Sequence, residues 1–297
     1  MTRVIVIGDL MTDAVARAES PLIKGTDTPA SVTMHGGGAG ANIASWIAAE
    51  GFEASFVGRR GTDIAGRNRD MELMGYGVDA RLVMDPDRPT GTCVVLVLHT
   101  GDRTMLSDPG ANAALSPDDL PKDLFTVGAH LHISGYTFLN DGSREAALAA
   151  LHLAGRERMS VSVDGASVAP LRHAGADAFF NWTAGVKLLF ANTDEAKVLT
   201  EHDDPEEAAR ELTRHYPQAV ITLASEGALW YESGGRTPIR TPAEPLDEIT
   251  DGTGAGDAFC AGFIPPWLEG KPPADALSAG CRLAARALGQ VGARPAL

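Results

Sequence analysis

Residues 247–264 read DEITDGTGAGDAFCAGFI, and the interpretation of the whole chain starts from this stretch. Gly252, Gly254 and Gly256 alternate with other residues, and the apolar run that follows them predicts a buried helix. The first four N–H groups of a helix have no acceptor within it, and the helix dipole adds partial positive charge there. Because the glycines let a ligand come close to this backbone, the stretch predicts an anion-binding helix start.

Asp257 is a carboxylate at this predicted helix start, where it would repel a bound phosphate. Its presence makes chemical sense if it accepts the proton of a hydroxyl while nearby backbone amides hold charge that develops on a phosphoryl group. This predicts phosphoryl transfer to an alcohol, with Asp257 as general base and the N–H groups of Gly254, Ala255 and Gly256 as the anion hole. The alternative is a glycine-rich turn whose Asp only caps the helix. A P-loop is excluded, because no Gly-Lys-Ser/Thr sequence follows the glycines.

Two segments of the chain resemble the signatures of one enzyme family. Residues 251–263, DGTGAGDAFCAGF, resemble the carboxy-terminal signature of the ribokinase-like carbohydrate kinases, the pfkB family, and residues 36–44, GGGAGANIA, resemble its amino-terminal signature. The resemblance extends over nearly the whole chain. It implies a central, mostly parallel α/β sheet covered by helices on both faces, with a small β-sheet lid. It also implies ATP-dependent phosphorylation of a sugar or sugar-like alcohol, as in ribokinases and fructokinases, with Mg²⁺.

The composition sets limits on the class of protein and its partners. The chain has 297 residues, 44% of them hydrophobic, which suffices for one large α/β domain or two smaller ones, and the resemblance favours a single kinase domain over 1–297. The net charge of −14 argues against nucleic acid or an anionic membrane as a partner. The opening MTRVIVIGDL has too short an apolar run for a signal peptide or a membrane span, so a cytoplasmic location is expected. The three cysteines are too widely spaced to predict a disulfide framework or a zinc site.

A first strand is predicted at residues 3–8, and Asp9 and Asp13 follow it. Open α/β sheets bind ligands beyond the carboxyl ends of their strands. The resemblance implies that Asp13 binds hydroxyls of the substrate, although a turn residue is the alternative, and more so for Asp9.

The lid is predicted from two separate segments, about 14–35 and 88–108. The first has no helical period and is interpreted as a loop with an edge strand, and the second contains short β-type runs. Closing such a lid would keep water from competing as phosphoryl acceptor. Arg103 is the cation that the lid offers to a substrate, with a solvated hairpin arginine as the alternative.

The glycine run at 36–42 has two interpretations. It matches a GxGxxA dinucleotide fingerprint, but the Rossmann version directly follows the first strand and is followed by an acidic residue that ends a second strand, which this sequence lacks. In the kinase interpretation, Gly37 and Gly38 let the backbone approach a polyhydroxylated ligand. Asn42 then supplies both a donor and an acceptor to its hydroxyls.

The rest of the chain alternates strands and helices, which predicts a parallel sheet covered on both faces. The predicted strands are 55–58, 129–134, 160–164, 186–190 and 219–223, and the predicted helices are 63–75, 143–156, 194–201, 205–216 and 273–288.

Two strand ends in this half point to nucleotide binding. Asn192 and Glu195 stand three residues apart, and the resemblance implies that they orient Mg²⁺ and its waters beside the triphosphate; a capping box is a compatible alternative. Thr222 and Gly227 resemble the family's nucleotide-binding turn, in which Ala224 replaces a glycine.

The final part of the chain carries three further features. Pro265-Pro266 is expected to end or kink the helix that Asp257 begins. Asp251-Gly252-Thr253 resembles the family's K⁺ site, with Gly252 as a departure from the usual run, so K⁺ dependence is open. Gly292-Ala293 resembles the closing turn beside the adenine and this cation.

The acceptor and the assembly are the least specified predictions. Tyr136 and Phe138 are two aromatic residues near the predicted lid. The sequence does not indicate that either ring stacks on a base, so a sugar is favoured over a nucleoside as the acceptor. A nucleoside kinase of the same family is the alternative. More distant alternatives are an NAD-binding Rossmann protein and a nucleotide sensor without catalysis, which the intact Asp257 disfavours. Apolar residues 94–98 are either buried within the subunit or pair across a homodimer formed through the lid.

Overall fold

The computed structural model describes residues 2–100 and 103–296, with the backbone alone for Arg103. Within these residues the strands are β1 (Val4–Ile7), β2 (Met11–Ala18), β3 (Ala30–Gly37), β4 (Ala54–Gly61), β5 (Asp79–Asp85), β6 (Gly91–Val97), β7 (Arg103–Asp108), β8 (His130–Ile133), β9 (Ser160–Asp164), β10 (Leu188–Asn192), β11 (Gln218–Thr222), β12 (Ala228–Glu232) and β13 (Ile239–Thr241). The helices are α1 (Ala39–Ala49), α2 (Ile64–Gly75), α3 (Gly135–Leu139), α4 (Arg144–Arg156), α5 (Val168–Ala174), α6 (Ala176–Trp182), α7 (Thr193–Thr200), α8 (Pro205–Leu212), α9 (Ala255–Leu268) and α10 (Pro273–Leu288).

A nine-stranded sheet with the order β13-β12-β11-β10-β9-β8-β1-β4-β5 forms the centre of the protein. The pairs from β11 to β5 are parallel, and β12 and β13 add antiparallel pairs at one edge. The carboxyl ends of the parallel strands therefore meet at one edge of the sheet, where α/β proteins bind ligands.

Strand β1 shows why this sheet is covered on both faces. Its four residues are all at most 1% exposed. Since side chains alternate along a strand, Val4 and Val6 pack into a cluster with α1, α9 and α10, whereas Ile5 and Ile7 pack into a second cluster with α4, α7 and α8. Each such side chain contributes roughly 1.5–3 kcal/mol through burial. The predicted α/β fold is confirmed.

A smaller four-stranded sheet has the order β3-β2-β6-β7. It is built mostly from the two segments expected to form a lid, but β2 begins earlier, at Met11, and β3 ends later, at Gly37. Strands β2 and β3 are antiparallel, β2 and β6 are parallel, and β6 and β7 are antiparallel. The interpretation of residues 14–35 as a loop with one edge strand was wrong in part, because Met11–Ala18 is an eight-residue strand in the middle of this sheet. The predicted turn at 100–102 lies largely outside the described residues.

Several predicted boundaries agree with the structure, and one prediction is corrected. Strand 160–164 and helix 273–288 coincide with β9 and α10. Helix α9, however, does not end at Pro265-Pro266 but continues to Leu268. The prolines lack N–H donors, yet their carbonyls still accept, from Glu269 N (3.0 Å) and Lys271 N (3.1 Å), so the last turn closes. None of the described helices is both long and apolar enough to cross a bilayer.

Candidate active site

A cleft of about 670 Å³ lies between the carboxyl edge of the large sheet and one face of the small sheet. The large sheet and its helices contribute Asp164, Asn192, Glu195 and Thr222, and the small sheet contributes Asp13, Cys93, Val95, Met105 and Ser107. Residues from both ends of the chain therefore share one cavity.

The glycine-rich turn forms the floor of this cleft at the start of α9. Gly254 precedes the helix with φ 77°, a left-handed conformation that favours glycine, and a Cβ there would lie 2.6 Å from the Cβ of Ala293. Gly254 and Gly256 line the cleft, and Ala255 is the first residue of the helix. The helix start has no side-chain cap among the described residues, so its first N–H groups remain available to a ligand.

Asp257 lies in the first turn of α9 and lines the same cleft. Its Oδ2 accepts a hydrogen bond from Asn42 Nδ2 at 2.8 Å. Burial raises the pKa of the Asp257 carboxyl well above its usual value, the Asn42 hydrogen bond opposes this rise, and the carboxylates of Asp164, Asp9 and Asp13 add to it. The sequence prediction that Asp257 and Asn42 belong to one site agrees with their direct contact.

On the small-sheet side, Asp13 packs tightly against the glycine run. Burial raises the pKa of the Asp13 carboxyl to about 6, against the lowering effect of the Arg294 cation. A Cβ at Gly37 would lie 2.2 Å from Asp13 Oδ1. Gly38 has φ 93°, and a Cβ there would lie 2.4 Å from the carbonyl oxygen of Asp9. Both positions therefore require glycine, and Gly38 and Asp13 line the cleft.

Asp9 combines a structural contact with a place in the cleft. Its carboxylate accepts hydrogen bonds from Ala39 N (3.3 Å) and Gly40 N (3.4 Å), at the start of α1. Burial raises the pKa of the Asp9 carboxyl, and these backbone donors lower it. Asp9 therefore stabilises the start of α1 and also lines the cleft.

Asn192 and Glu195 form a reciprocal capping box at the start of α7. Glu195 N donates to Asn192 Oδ1 and Asn192 N donates to Glu195 Oε2, both at 2.9 Å. Burial and, to a smaller extent, the nearby Asp164 carboxylate raise the pKa of the Glu195 carboxyl to about 7, against the lowering effect of the hydrogen bonds with Asn192. Both side chains line the cleft, so the capping and the ligand-binding interpretations remain compatible.

Of the two residues predicted to bind nucleotide at the turn after β11, one lines the cleft and the other does not. Thr222 lines the cleft. Gly227 is not among the lining residues; it has φ 96°, and a Cβ there would lie 2.0 Å from the carbonyl oxygen of Thr241. Its glycine is thus explained by packing within the turn. Ala224, which replaces a glycine of the family pattern, adopts φ 51°.

Asp251 and Thr253 form a compact turn next to the anion hole. Asp251 Oδ1 accepts from Thr253 N (3.0 Å) and Thr253 Oγ1 (2.7 Å), and Asp251 Oδ2 accepts from Gly292 N (3.2 Å). Asp251 is 4% exposed. The two segments that resemble the K⁺ site and the closing turn are therefore in direct contact.

Three of the remaining sequence predictions have different outcomes. Tyr136 lines the cleft, whereas Phe138 is 0% exposed and belongs to the core, so Phe138 offers no surface to a ligand. Arg103 lies in β7, and its side chain is outside the described part of the chain. Its predicted contact with the substrate stays a prediction.

The sequence analysis missed Asp164 and Arg294. Asp164 ends β9 and lines the cleft; its carboxylate accepts from Ala166 N (2.9 Å) and Gly135 N (3.2 Å), and it lies 3.1 Å from His132 Nε2. The rule that ligands bind at strand carboxyl ends could have found it. Arg294 is 5% exposed, and its Nε donates to Asn42 Oδ1. A single arginine near the end of the chain carries no sequence signal of this kind.

The cleft suits a cation that enters together with an anionic ligand. Within the described residues, no group of three or more His, Cys, Asp or Glu side chains could hold a metal ion by itself. However, Asp9, Asp164 and Glu195 line the cleft, and repulsion from the Asp164 carboxylate contributes to the raised pKa of both Asp9 and Glu195. A divalent cation would relieve this repulsion and neutralise a polyphosphate, and oxygen ligands are those that Mg²⁺ prefers.

The fold and the cleft place the chain in the ribokinase-like class of α/β proteins. The sequence model for pfkB family carbohydrate kinases matches residues 1–297. The chain belongs to the pfkB family and is a carbohydrate kinase, a phosphotransferase with an alcohol group as acceptor. Its substrate class is a sugar or a nucleoside, and family membership rules out the NAD-binding Rossmann alternative.

Individual relatives differ in the acceptor their names state. The chain is 27% identical over 301 residues to an ATP-dependent ribose-1-phosphate kinase of Halopiger xanaduensis, covering 100% of this chain and 95% of the relative. It is 29% identical over 309 residues to a fructokinase of Klebsiella pneumoniae, covering 99% and 96%. The solved structure of an adenosine kinase from Sinorhizobium meliloti matches with a TM-score of 0.91 at 24% identity, covering 100% and 96%, which shows a shared fold.

Proposed function

We propose that the protein transfers the γ-phosphoryl group of ATP to a hydroxyl of a sugar or sugar-like alcohol, with Asp257 as general base. The observation that carries this proposal is the position of Asp257 in the first turn of α9, within the cleft and beside N–H groups that no side chain of the described residues caps. The proposed base and the proposed anion hole thus belong to the same helical turn.

The acceptor alcohol binds beside Asp13, Gly37, Gly38 and Asn42. Asn42 Nδ2 occupies Oδ2 of Asp257, so the other carboxylate oxygen is left for the acceptor hydroxyl. As Asp257 takes this proton, the alcohol oxygen bonds to the γ-phosphorus and the bond from that phosphorus to the ADP oxygen breaks. The N–H groups of Gly254, Ala255 and Gly256 stabilise the charge on the transferring group.

Asn192, Glu195 and Thr222 face the nucleotide in this arrangement, and Gly227 shapes the turn that follows Thr222. Asn192 and Glu195 would hold hydrated Mg²⁺, which supplies neutralising charge to the triphosphate. Asp251 and Thr253 would hold K⁺ close to the anion hole, as the resemblance implies. The Mg²⁺ site has stronger support than the K⁺ site, because Asp251 already accepts three hydrogen bonds from the protein.

The lining of the cleft favours a sugar over a nucleoside. Of Tyr136 and Phe138, only Tyr136 lines the cleft, and it is 37% exposed. The small sheet presents Val95, Met105 and Ser107 there, which close off space but offer no flat ring for a base to stack on. A nucleoside kinase of the same family remains the second candidate.

We also propose that the protein works in the cytoplasm and forms a homodimer through the outer face of the small sheet. Met34, Ala14, Val94 and Leu106 are paired in register across its four strands and face away from the cleft-lining residues. Met34, Val94 and Leu106 are 60%, 39% and 63% exposed. Covering such a row removes apolar area from water, which favours association.

An acceptor panel tests the proposed reaction. ADP release is measured with ATP and Mg²⁺ in the presence of D-ribose, D-fructose and adenosine, each against a reaction that contains no acceptor. We expect ADP release with a sugar to be far faster than both the acceptor-free rate and the rate with adenosine. Release with adenosine alone would favour the nucleoside kinase, and ATP binding without release for any acceptor would favour the nucleotide sensor.

A further inference from the structure

Arg294 is a buried cation placed two hydrogen bonds from the proposed base. It is 5% exposed, and its guanidinium contacts three elements of the fold. Nη1 pairs with Glu72 Oε2 at 3.0 Å, Nη2 donates to the carbonyl oxygen of Gly37 at 2.7 Å, and Nε donates to Asn42 Oδ1 at 3.2 Å. A guanidinium buried to this extent needs such partners, because desolvating an unpaired charge is very unfavourable.

The contact with Asn42 fixes the direction of the Asn42 amide. A guanidinium has donors and no acceptor, so only the oxygen of the amide can face it. The Nδ2 group must then point the other way, where it donates to Asp257 Oδ2 at 2.8 Å. The reversed amide would place N–H groups against N–H groups at Arg294 and oxygen against oxygen at Asp257.

We infer that Arg294 is a positioning residue of the phosphoryl transfer, which acts through Asn42 to hold one oxygen of Asp257 and leave the other for the acceptor hydroxyl. This inference rests on the proposed role of Asp257 as general base. Through the Gly37 carbonyl, the same guanidinium also holds the backbone that contacts Asp13. Arg294 itself does not touch the reacting atoms.

The surrounding charges define what loss of Arg294 does to the base. Arg294 is faced by Glu72 and Arg69 of α2, by Tyr76 directly after this helix, and by Asp13 of β2. Asp257 is faced by Asn42 and by the carboxylates of Asp164, Asp9 and Asp13. Without Arg294 the Asn42 amide is free to turn and its donor to Asp257 is lost. The repulsion from the three carboxylates is then no longer opposed by this hydrogen bond, so the pKa of Asp257 rises.

The test compares Arg294→Met in the native background and in the Asn42→Ala background. Turnover is measured with ATP and the faster of D-ribose and D-fructose, and the Asp257 carboxyl is titrated by ¹³C NMR of Asp-labelled protein, its signal being assigned with Asp257→Asn. In the native background, Arg294→Met is expected to lower kcat about 10²-fold, the scale of a misplaced catalytic group, and to raise the Asp257 pKa. In the Asn42→Ala background it is expected to change both quantities much less.

Two control variants separate positioning from a structural role. Arg286→Met makes the same substitution at a half-exposed arginine of the preceding helix and should leave kcat and the Asp257 titration unchanged. Arg294→Lys keeps the charge and one donor, so its kcat should lie much closer to the native value than that of Arg294→Met. It replaces Arg294→Met in the comparison if the latter does not fold. Equal effects of Arg294→Met in both backgrounds, or a lower Tm without any change in kcat or in the titration, would overturn the inference. Full turnover of Asp257→Asn would instead overturn the proposed function.

Discussion

Ala224 holds a backbone conformation that glycine adopts more easily. Its φ of 51° lies in the left-handed region, at the turn between β11 and β12. For a residue with a Cβ this conformation costs roughly 1–2 kcal/mol. The turn forms nevertheless, because Leu223 N donates to the Gly227 carbonyl at 2.7 Å and Gly227 supplies a second positive φ.

Replacing Ala224 by Gly should therefore stabilise the protein. The relief of strain exceeds the added entropy of a glycine in the unfolded chain, so we expect the free energy of unfolding to rise by up to about 1 kcal/mol. Urea unfolding measures this change. Ala228→Gly, in the adjacent buried strand, is the matched control and should destabilise; a similar loss for both variants would contradict the strain at Ala224.

The cleft carboxyls make stability depend on pH. Asp257 has a folded-state pKa above its unfolded value, so the folded protein binds this proton more tightly, and stability falls as pH rises from the unfolded pKa toward the folded one. Asn at this position imitates the protonated form and can still accept from Asn42. Asp257→Asn should therefore have a higher Tm than the native protein at about pH 8, with the difference narrowing toward about pH 5.

Thermal melts of both proteins across this range check the prediction. Asp275→Asn makes the same change in the first turn of α10, at an exposed side chain, and should leave the Tm difference small at every pH. A lower Tm for Asp257→Asn at the alkaline end would mean that the burial of Asp257 has no net cost for the fold.

At the scale of elements, the capping box of α7 lets one pair of side chains serve both structure and ligand binding. Asn192 and Glu195 satisfy each other's backbone N–H groups, and both residues line the cleft. The helix start is therefore rigid before any nucleotide binds. This preorganisation lowers the entropy that binding has to offset.

Glu195→Gln separates the two roles. The amide oxygen can still accept from Asn192 N, so we expect Tm to change by only a few degrees, while the lost negative charge raises the Mg²⁺ concentration needed for half-maximal activity about tenfold or more. Mg²⁺ titrations of ADP release measure this shift. Asp204→Asn, at the cap of α8 outside the cleft, should leave the Mg²⁺ requirement unchanged. An unchanged requirement in Glu195→Gln would remove Glu195 from the nucleotide site.

The elements differ in how far their sequences reveal them. Strand β9 and helix α10 were predictable because apolar periodicity and a proline at the helix start mark them locally. Strand β2 was missed because its sequence, MTDAVARA, mixes small and charged residues. Its stability comes from pairing with β3 and β6, which lie further along the chain, so no local pattern identifies it.

At the scale of the whole molecule, the outer face of the small sheet predicts assembly. Leu106→Glu places a charge on the most exposed side chain of this apolar row, at its β7 end, and should convert a dimer to a monomer, with the molar mass measured by light scattering after size exclusion. Val127→Glu changes an apolar residue that is 78% exposed away from this sheet and should leave the mass unchanged. A native monomer, or a Leu106→Glu dimer, would contradict the proposed interface.

The residues of the site that belong to sequence motifs were predictable from the sequence. Asp257 and Asn42 belong to recognisable segments, and the fold brings them within 2.8 Å of each other. Asp164 could have been found from its place at the carboxyl end of a predicted strand. Arg294 could not, because its importance comes from contacts with the distant residues Glu72 and Asn42. Such contacts exist only after the chain has folded.

Turnover of Asp257→Asn tests the central claim most directly. General-base catalysis contributes about 10²–10⁴-fold, so kcat for ADP release with the preferred sugar should fall by at least about 10²-fold, while ATP affinity and folding are retained and Asp275→Asn behaves as the native protein does. Near-native turnover of folded Asp257→Asn would contradict the account.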